Sequence, residues 1–139
     1  MAWNNYRPGA RKGSGSKYHN EKVLSADGEI FDSRREYRRF TELKILEKAG
    51  EITNLKRQVP FVIIPEHREP DTTGPRGGVR KGRLIEPAAK YIADFVYFER
   101  DESGRWRQVV EDCKGMRTDT YKLKRKLMFH LYGIRIRET

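Results

Sequence analysis

The stretch Val109-Val110-Glu111-Asp112-Cys113-Lys114-Gly115 decides how this chain is read. An apolar strand runs straight into acid and base instead of closing in turn residues. Side chains alternate along a strand, so Asp112 and Lys114 share one face and Glu111 points to the other. Upstream, Asp94 interrupts the apolar run Tyr91-Ile92-Ala93-Asp94-Phe95-Val96, and Asp101-Glu102-Ser103-Gly104 between the two runs has the chemistry of an antiparallel turn. A hairpin centred near Glu102 sets Asp94 opposite or diagonal to Glu111 and Asp112, and diagonal neighbours lie about 7 Å apart. Two carboxylates and an ammonium are therefore expected to meet in the middle of a sheet.

Two carboxylates at about 5 Å repel by roughly 3 kcal/mol at an effective dielectric near 20, and Lys114 offsets only part of that. A divalent cation removes the conflict. Oxygen ligands from Asp94, Asp112 and the backbone carbonyl of Cys113 suit a hard ion, Mg²⁺ with Mn²⁺ as a substitute. Such an ion polarises a phosphoryl oxygen and acidifies a bound water, which Lys114 can position. The competing reading is a plain ion pair between Asp112 and Lys114, with Asp94 marking a strand end. The apolar residues around each acid weigh against it.

Working outward, Asp27-Gly28 between Val23-Leu24 and Ile30-Phe31 signals a small hairpin. A helix is expected from Ser33 to Lys48, opened by the capping-box pattern Ser33-x-x-Glu36 and stopped by Gly50, with Tyr37, Phe40, Leu43 and Leu46 facing the core. Glu36 closes that box yet also lies along the core-facing stripe, so capping and metal ligation both remain open to it. Gln58–Ile64 reads as a strand, and Pro60 argues for an edge position or a bulge. Residues 65–88, rich in Pro, Gly and charge, read as a long mobile loop. Strands follow over Tyr91–Phe98 and Trp106–Lys114. A second helix is capped by Thr118 or Asp119, runs to Tyr132 and stops at Gly133, with Leu123, Leu127, Met128 and Leu131 on its apolar side. Ile134-Arg135-Ile136 is a candidate last strand. The expected fold is α/β with a central mixed sheet flanked by helices.

The 139 residues fit one domain, spanning 17–139 behind a flexible basic arm at 1–16. No apolar run approaches the roughly 20 residues of a membrane span, and the basic N-terminus lacks the apolar stretch of a signal peptide. A soluble protein of the cytoplasm is expected. The lone Cys113 cannot form an internal disulfide, and three scattered histidines give no zinc spacing. Cys113 reads as a small buried apolar residue. With 30 basic against 20 acidic residues the net charge is +10, which points to a nucleic acid. Lys122, Lys124, Arg125 and Lys126 on the second helix, with Arg11 and Lys12 in the arm, are the candidate phosphate contacts.

At Asp94 and Asp112-Cys113-Lys114 the chain resembles the PD-(D/E)XK nuclease superfamily. The wider pattern of Phe31-Asp32-Ser33, Glu36, Tyr91-x-Ala93-Asp94-Phe95, Glu111-Asp112-x-Lys114-Gly115, Tyr121 and Lys124 is similar to a phage and prophage family placed there. More distantly it resembles archaeal-type Holliday junction resolvases, which also carry a glutamate on the first helix. Ala93 departs from the pattern, standing where the name-giving proline would be. The resemblance implies a restriction-endonuclease-like core, Mg²⁺-dependent hydrolysis of DNA with Glu36, Asp94, Asp112 and Lys114 in the site, and four-way junctions as substrate. Two symmetric nicks then require a homodimer, for which Phe129, Leu131, Tyr132 and the Pro60 strand offer material. The rivals are a non-catalytic basic DNA-binding protein and a nuclease acting on other DNA or RNA structures.

Overall fold

In a computed structural model, residues 21–139 are described, so the expected arm at 1–16, with Arg11 and Lys12, lies outside the described residues. The backbone divides into two compact units, one ending at Tyr37 and the other comprising Arg38–Thr139. In chain order the elements are β1 (Val23–Leu24), β2 (Ile30–Phe31), α1 (Arg34–Lys48), β3 (Ile52–Ile64), β4 (His67–Arg68), β5 (Thr72–Thr73), β6 (Val79–Arg80), β7 (Leu84–Glu86), β8 (Ala89–Arg100), β9 (Trp106–Asp112), α2 (Asp119–Tyr132) and β10 (Arg137–Glu138).

In the smaller unit, β1 and β2 pair antiparallel around the expected Asp27-Gly28 turn, where Gly28 takes φ 82°, a value glycine adopts without steric cost. The Phe31 and Tyr37 rings meet edge-on at 5.2 Å.

The larger unit is α/β, with a four-stranded mixed sheet in the order β10-β9-β8-β3. β3, β8 and β9 are antiparallel neighbours, and β10 joins β9 in parallel. The hairpin β8–β9 turns on Asp101, whose Oδ1 accepts hydrogen bonds from the Ser103 and Arg105 amides and the Ser103 hydroxyl. Consecutive residues of β9 feed opposite layers. Val109 packs around Leu43 with Phe95, Tyr97 and Phe40, while Val110 packs around Met128 with Tyr91, Ala93 and Tyr121. The two helices therefore cover opposite faces of the sheet. Pro60 does lie on an edge strand, as its missing N–H requires.

Strand alternation on β3 breaks at a bulge around Asn54, left-handed at φ 58°, and again, together with β8, at the rung of Gln58 and Asp94. Leu55 packs around Leu43 and Arg57 lies over the Phe40 ring, yet Val59, Phe61 and Ile63 pack around Met128. On β8, Tyr91 and Ala93 pack around Met128, whereas Phe95 and Tyr97 pack around Leu43. Since Arg57 pairs with Phe95 and Val59 with Ala93, both strands change faces together across Gln58 and Asp94. The physical cause is local: Gln58 is left-handed at φ 49°, uncommon for a residue with a Cβ, and one such residue turns a strand as a bulge does.

Several expectations are corrected: the strand read over Gln58–Ile64 begins at Ile52, and Tyr37, expected to face the core, is exposed. Residues 65–88 are not a structureless loop but a ribbon of two short antiparallel ladders, β4–β7 and β5–β6. On α2 the buried residues are Tyr121 and Met128, with Leu127 partly buried; Leu123 and Leu131 are exposed, because the sheet meets the helix along the Tyr121 and Met128 line. The last strand is Arg137–Glu138, and Ile134 and Ile136 pack into the core instead.

β10 is held by charge. Arg137 forks onto Glu99 at 2.7 and 3.0 Å across β9 and donates to the Tyr97 hydroxyl at 3.0 Å, while Arg107 reaches Glu99 at 2.9 Å. The hydrogen bonds from Arg137, followed by those from Arg107, lower the Glu99 carboxyl from 4.5 to about 2 against the opposing effect of burial. A depressed carboxyl stabilises the fold fully above its unfolded pKa and loses that contribution as pH falls through the folded one. Stability on the order of 2–3 kcal/mol is therefore expected to vanish between about pH 5 and pH 2. Urea unfolding across that range should show the loss in the wild type and a shallower acid limb in Glu99→Gln; parallel limbs would refute the assignment.

Candidate active site

The acidic stretch of β9 divides as strand geometry requires. Glu111 and Asp112 are both fully buried. Glu111 lies on the α1 side, where Arg39 donates to its two oxygens at 2.6 and 3.1 Å, the Tyr97 hydroxyl at 2.7 Å and the Thr139 hydroxyl at 3.1 Å. Burial and the Glu111 hydrogen bond push the Tyr97 phenol up to about 12, so it remains a donor. This cluster is saturated and structural.

Asp112 lies on the α2 side. Its Oδ2 accepts a 2.6 Å hydrogen bond from the Tyr91 hydroxyl, whose pKa is raised first by burial and then by that bond. Its Oδ1 has Lys114 Nζ at 3.0 Å, an ion pair that falls short of hydrogen-bond geometry and leaves this buried oxygen without a hydrogen bond. The Lys114 ammonium is held in turn over the Tyr121 ring, 4.9 Å from its centre. Burial, then the nearby Asp112 charge, raises the Tyr121 phenol, which donates to Glu138 at 3.1 Å.

Asp94 is half-buried at the rung where the strands change faces. Its Oδ2 accepts the Cys113 amide at 2.8 Å and its Oδ1 lies 3.3 Å from Gln58 Nε2. The register Phe95↔Glu111, carried one residue further, sets Asp94 across from Asp112. Asp94, Asp112, Cys113 and Lys114 thus come together as expected. Cys113 is half-buried against the Leu43 cluster, with its sulfur 3.3 Å from the Thr139 hydroxyl.

Glu36, in the smaller unit, is buried and acts as a cap. Its Oε2 accepts the Asp32 amide at 3.2 Å while Ser33 Oγ accepts the Glu36 amide at 3.1 Å, a capping box displaced by one residue. Among the described residues no three His, Cys, Asp or Glu side chains are grouped so as to hold a metal.

With residues 15–137 the chain matches the family model described as "Protein of unknown function (DUF1064)". The chain belongs to that family. No curated protein and no solved structure matches it.

The basic residues expected on α2 are unequally placed in this family member. Lys122 and Lys126 are exposed, but Lys124 donates to the Lys90 carbonyl at 2.9 Å and Arg125 pairs with Glu138 at 2.6 Å. Tyr132, offered for a dimer interface, donates to the Val62 carbonyl at 2.5 Å and meets Phe61 edge-on, while Phe129 and Leu131 remain half exposed. No described helix is long and apolar enough to cross a membrane.

Sequence reasoning left Tyr91 and Arg39 without roles. For Tyr91 the obstacle is parity: strict alternation points it away from Asp112, and only the face change at Gln58 turns it back. Arg39 carried no signal among so many arginines. Removing it strands Glu111 as an uncompensated buried charge, at a cost of about 3–5 kcal/mol. Arg39→Ala should lower the urea midpoint accordingly, and Arg39→Ala with Glu111→Gln should recover part of the loss. A double variant no better than the single one would show that Arg39 acts by packing alone.

Proposed function

We propose that this chain is a Mg²⁺-dependent nuclease of the PD-(D/E)XK type, with a restriction-endonuclease-like core and Asp94, Asp112 and Lys114 as its working residues. The observation that carries the reading is the buried Asp112 Oδ1, which has a lysine ammonium beside it and a second carboxylate across the strand pair, but no hydrogen bond. A buried carboxylate oxygen left without a hydrogen bond, facing a second carboxylate that one lysine only partly offsets, is costly unless a further cation shares it.

The donor set fits a hard ion. Mg²⁺ is usually held by one or two carboxylates with water completing its shell, so the lack of a third acidic ligand among the described residues is no obstacle. Asp94, Asp112 and the Cys113 carbonyl would hold it, with Glu36 kept as a cap. When bound, the ion supplies Lewis-acid polarisation of a phosphoryl oxygen and a more acidic water. The chain's own residues do the rest. Tyr91 orients Asp112 by donating to Oδ2, Gln58 and the Cys113 amide hold Asp94, and Tyr121 keeps the Lys114 ammonium beside the reacting centre. There Lys114 steadies negative charge as it develops on the phosphoryl group.

The net charge of +10 favours DNA, and the family resemblance favours branched DNA cut by a phage- or prophage-encoded resolvase in the host cytoplasm. Two symmetric nicks call for a homodimer, and exposed Phe129, Leu131 and Tyr132 with the β3 edge strand carrying Pro60 are available to it. One observation favours the rival, a non-catalytic DNA-binding protein: the Asp94 and Asp112 charges already have partners within the chain.

Purified protein incubated with labelled four-way junction, duplex and single strand, with Mg²⁺ or chelator, separates the two. Metal-dependent cleavage is expected, lost by a factor of at least about 100 in Asp94→Ala, Asp112→Ala and Lys114→Ala, the scale of removing one electrostatic stabiliser. Glu36→Gln should lower stability more than rate. Binding without cleavage at any metal concentration would leave the rival standing, and wild-type rates in any of the three alanine variants would defeat the site.

A further inference from the structure

The ribbon over residues 65–88 has no place in the chemistry above. It pairs β4 with β7 and β5 with β6, and none of these strands joins the central sheet. Nearly every residue in it is exposed, with only Arg68, Gly74, Gly82 and Ala88 half-buried. A two-stranded ribbon that buries nothing is marginal by itself. This one is nevertheless built at its root. Arg68 forks onto Glu66 and also donates to the Gly82 carbonyl at 3.0 Å; the Glu69 amide reaches the Arg83 carbonyl at 2.9 Å and the Gly82 amide reaches Asp71 at 2.8 Å. At Gly82 the two backbone segments come so close that a Cβ would overlap the Glu69 carbonyl oxygen.

Charge is segregated along the ribbon. The root cations are answered by root acids, in the pairs Arg68–Glu66, Lys81–Glu66 and Arg83–Glu69. From Thr72 to Arg80 there is no acid at all, and among the described residues neither Arg76 nor Arg80 has a carboxylate partner. The tip is narrow, because Gly74, Gly77 and Gly78 form its turn and leave Arg76, Arg80, two threonine hydroxyls and the exposed Val79 as what it presents.

We propose that this ribbon is an arm whose tip enters a groove of duplex DNA beside the cleavage point, with Arg76 and Arg80 on phosphates and Gly82 setting its angle. The proposal rests on the nuclease reading for the identity of the polyanion. A two-stranded ribbon is of a width that the major groove, about 12 Å across, admits. A slender cationic tip on an internally ion-paired root suits a groove better than a flat protein surface.

The test uses the full chain, in chelator so that binding is read without cleavage. Arg76→Ala with Arg80→Ala, and separately Gly82→Val, are compared with wild type by fluorescence anisotropy on labelled duplex and single-stranded DNA across a salt series. Thermal melting confirms that the core is intact. The double variant should bind duplex about tenfold or more weakly at low salt, with the slope of log K against log salt reduced by roughly 2. Gly82→Val should weaken duplex binding with little change in that slope, and single-strand binding should fall less in both. Unchanged duplex affinity and slope, which a protein-binding arm would give, overturns the proposal. So does equal loss on duplex and single strand, which marks plain electrostatic attraction. If wild type cuts DNA and the variants bind as it does, the arm alone fails. If wild type never cuts but binds duplex through Arg76 and Arg80, the nuclease reading fails and the arm stands.

Discussion

Glu111 and Asp112 are neighbours in sequence, both fully buried, and strand geometry sends their carboxylates to opposite faces of the same sheet. Burying one ion without compensation costs several kcal/mol, so each side of β9 has to provide for its own. The α1 side supplies Arg39, Tyr97 and Thr139, and it leaves no oxygen of Glu111 idle. The α2 side supplies Tyr91 and Lys114 and stops short of saturation at Asp112 Oδ1. That asymmetry leaves Glu111 fully partnered and Asp112 with one buried oxygen that no hydrogen bond reaches.

The same demand explains features distant in sequence. The Arg39 fork binds α1 to β9, and Thr139 brings the C-terminus against Glu111, beside the Arg137 fork on Glu99. Lys114 leaves the end of β9 and turns back over Tyr121, so the cap of α2 at Thr118 follows within four residues of it. Each helix is attached to the sheet by apolar packing on its own cluster and by a polar link to the charged end of β9.

Gln58 sets the other condition. Its left-handed backbone makes β3 and β8 exchange faces at the rung of Asp94, so that Tyr91 and Asp112 come to the same side. A residue with a Cβ in that region carries strain of order 1–3 kcal/mol, and such strain gathers where geometry serves a site. Here it gives Tyr91 its reach to Asp112 and holds Gln58 beside Asp94.

Periodicity and end signals in the sequence determined α1, α2, the β8–β9 hairpin and the meeting of Asp94 with Asp112 and Lys114, and Pro60 narrowed β3 to an edge or a bulge. These are local matters of 3.6 and 2.0 spacing, of capping by Ser33 and Thr118, and of turn residues, all written in neighbouring positions. Glu36 was ambiguous because capping and burial call for the same residue at the same place. Apart from Lys114, the partners of Glu111 and Asp112 belong to the tertiary structure alone. Arg39 is 72 positions from Glu111. Tyr91 reaches Asp112 only because one backbone torsion at Gln58 reverses the parity of two strands, a torsion that no side-chain preference announces. The ribbon at 65–88 hid for a related reason. Its ladders are two residues long, below the length at which alternation registers, and polar links at the root, where the backbone meets closely at Gly82, rather than any apolar pattern hold them in place.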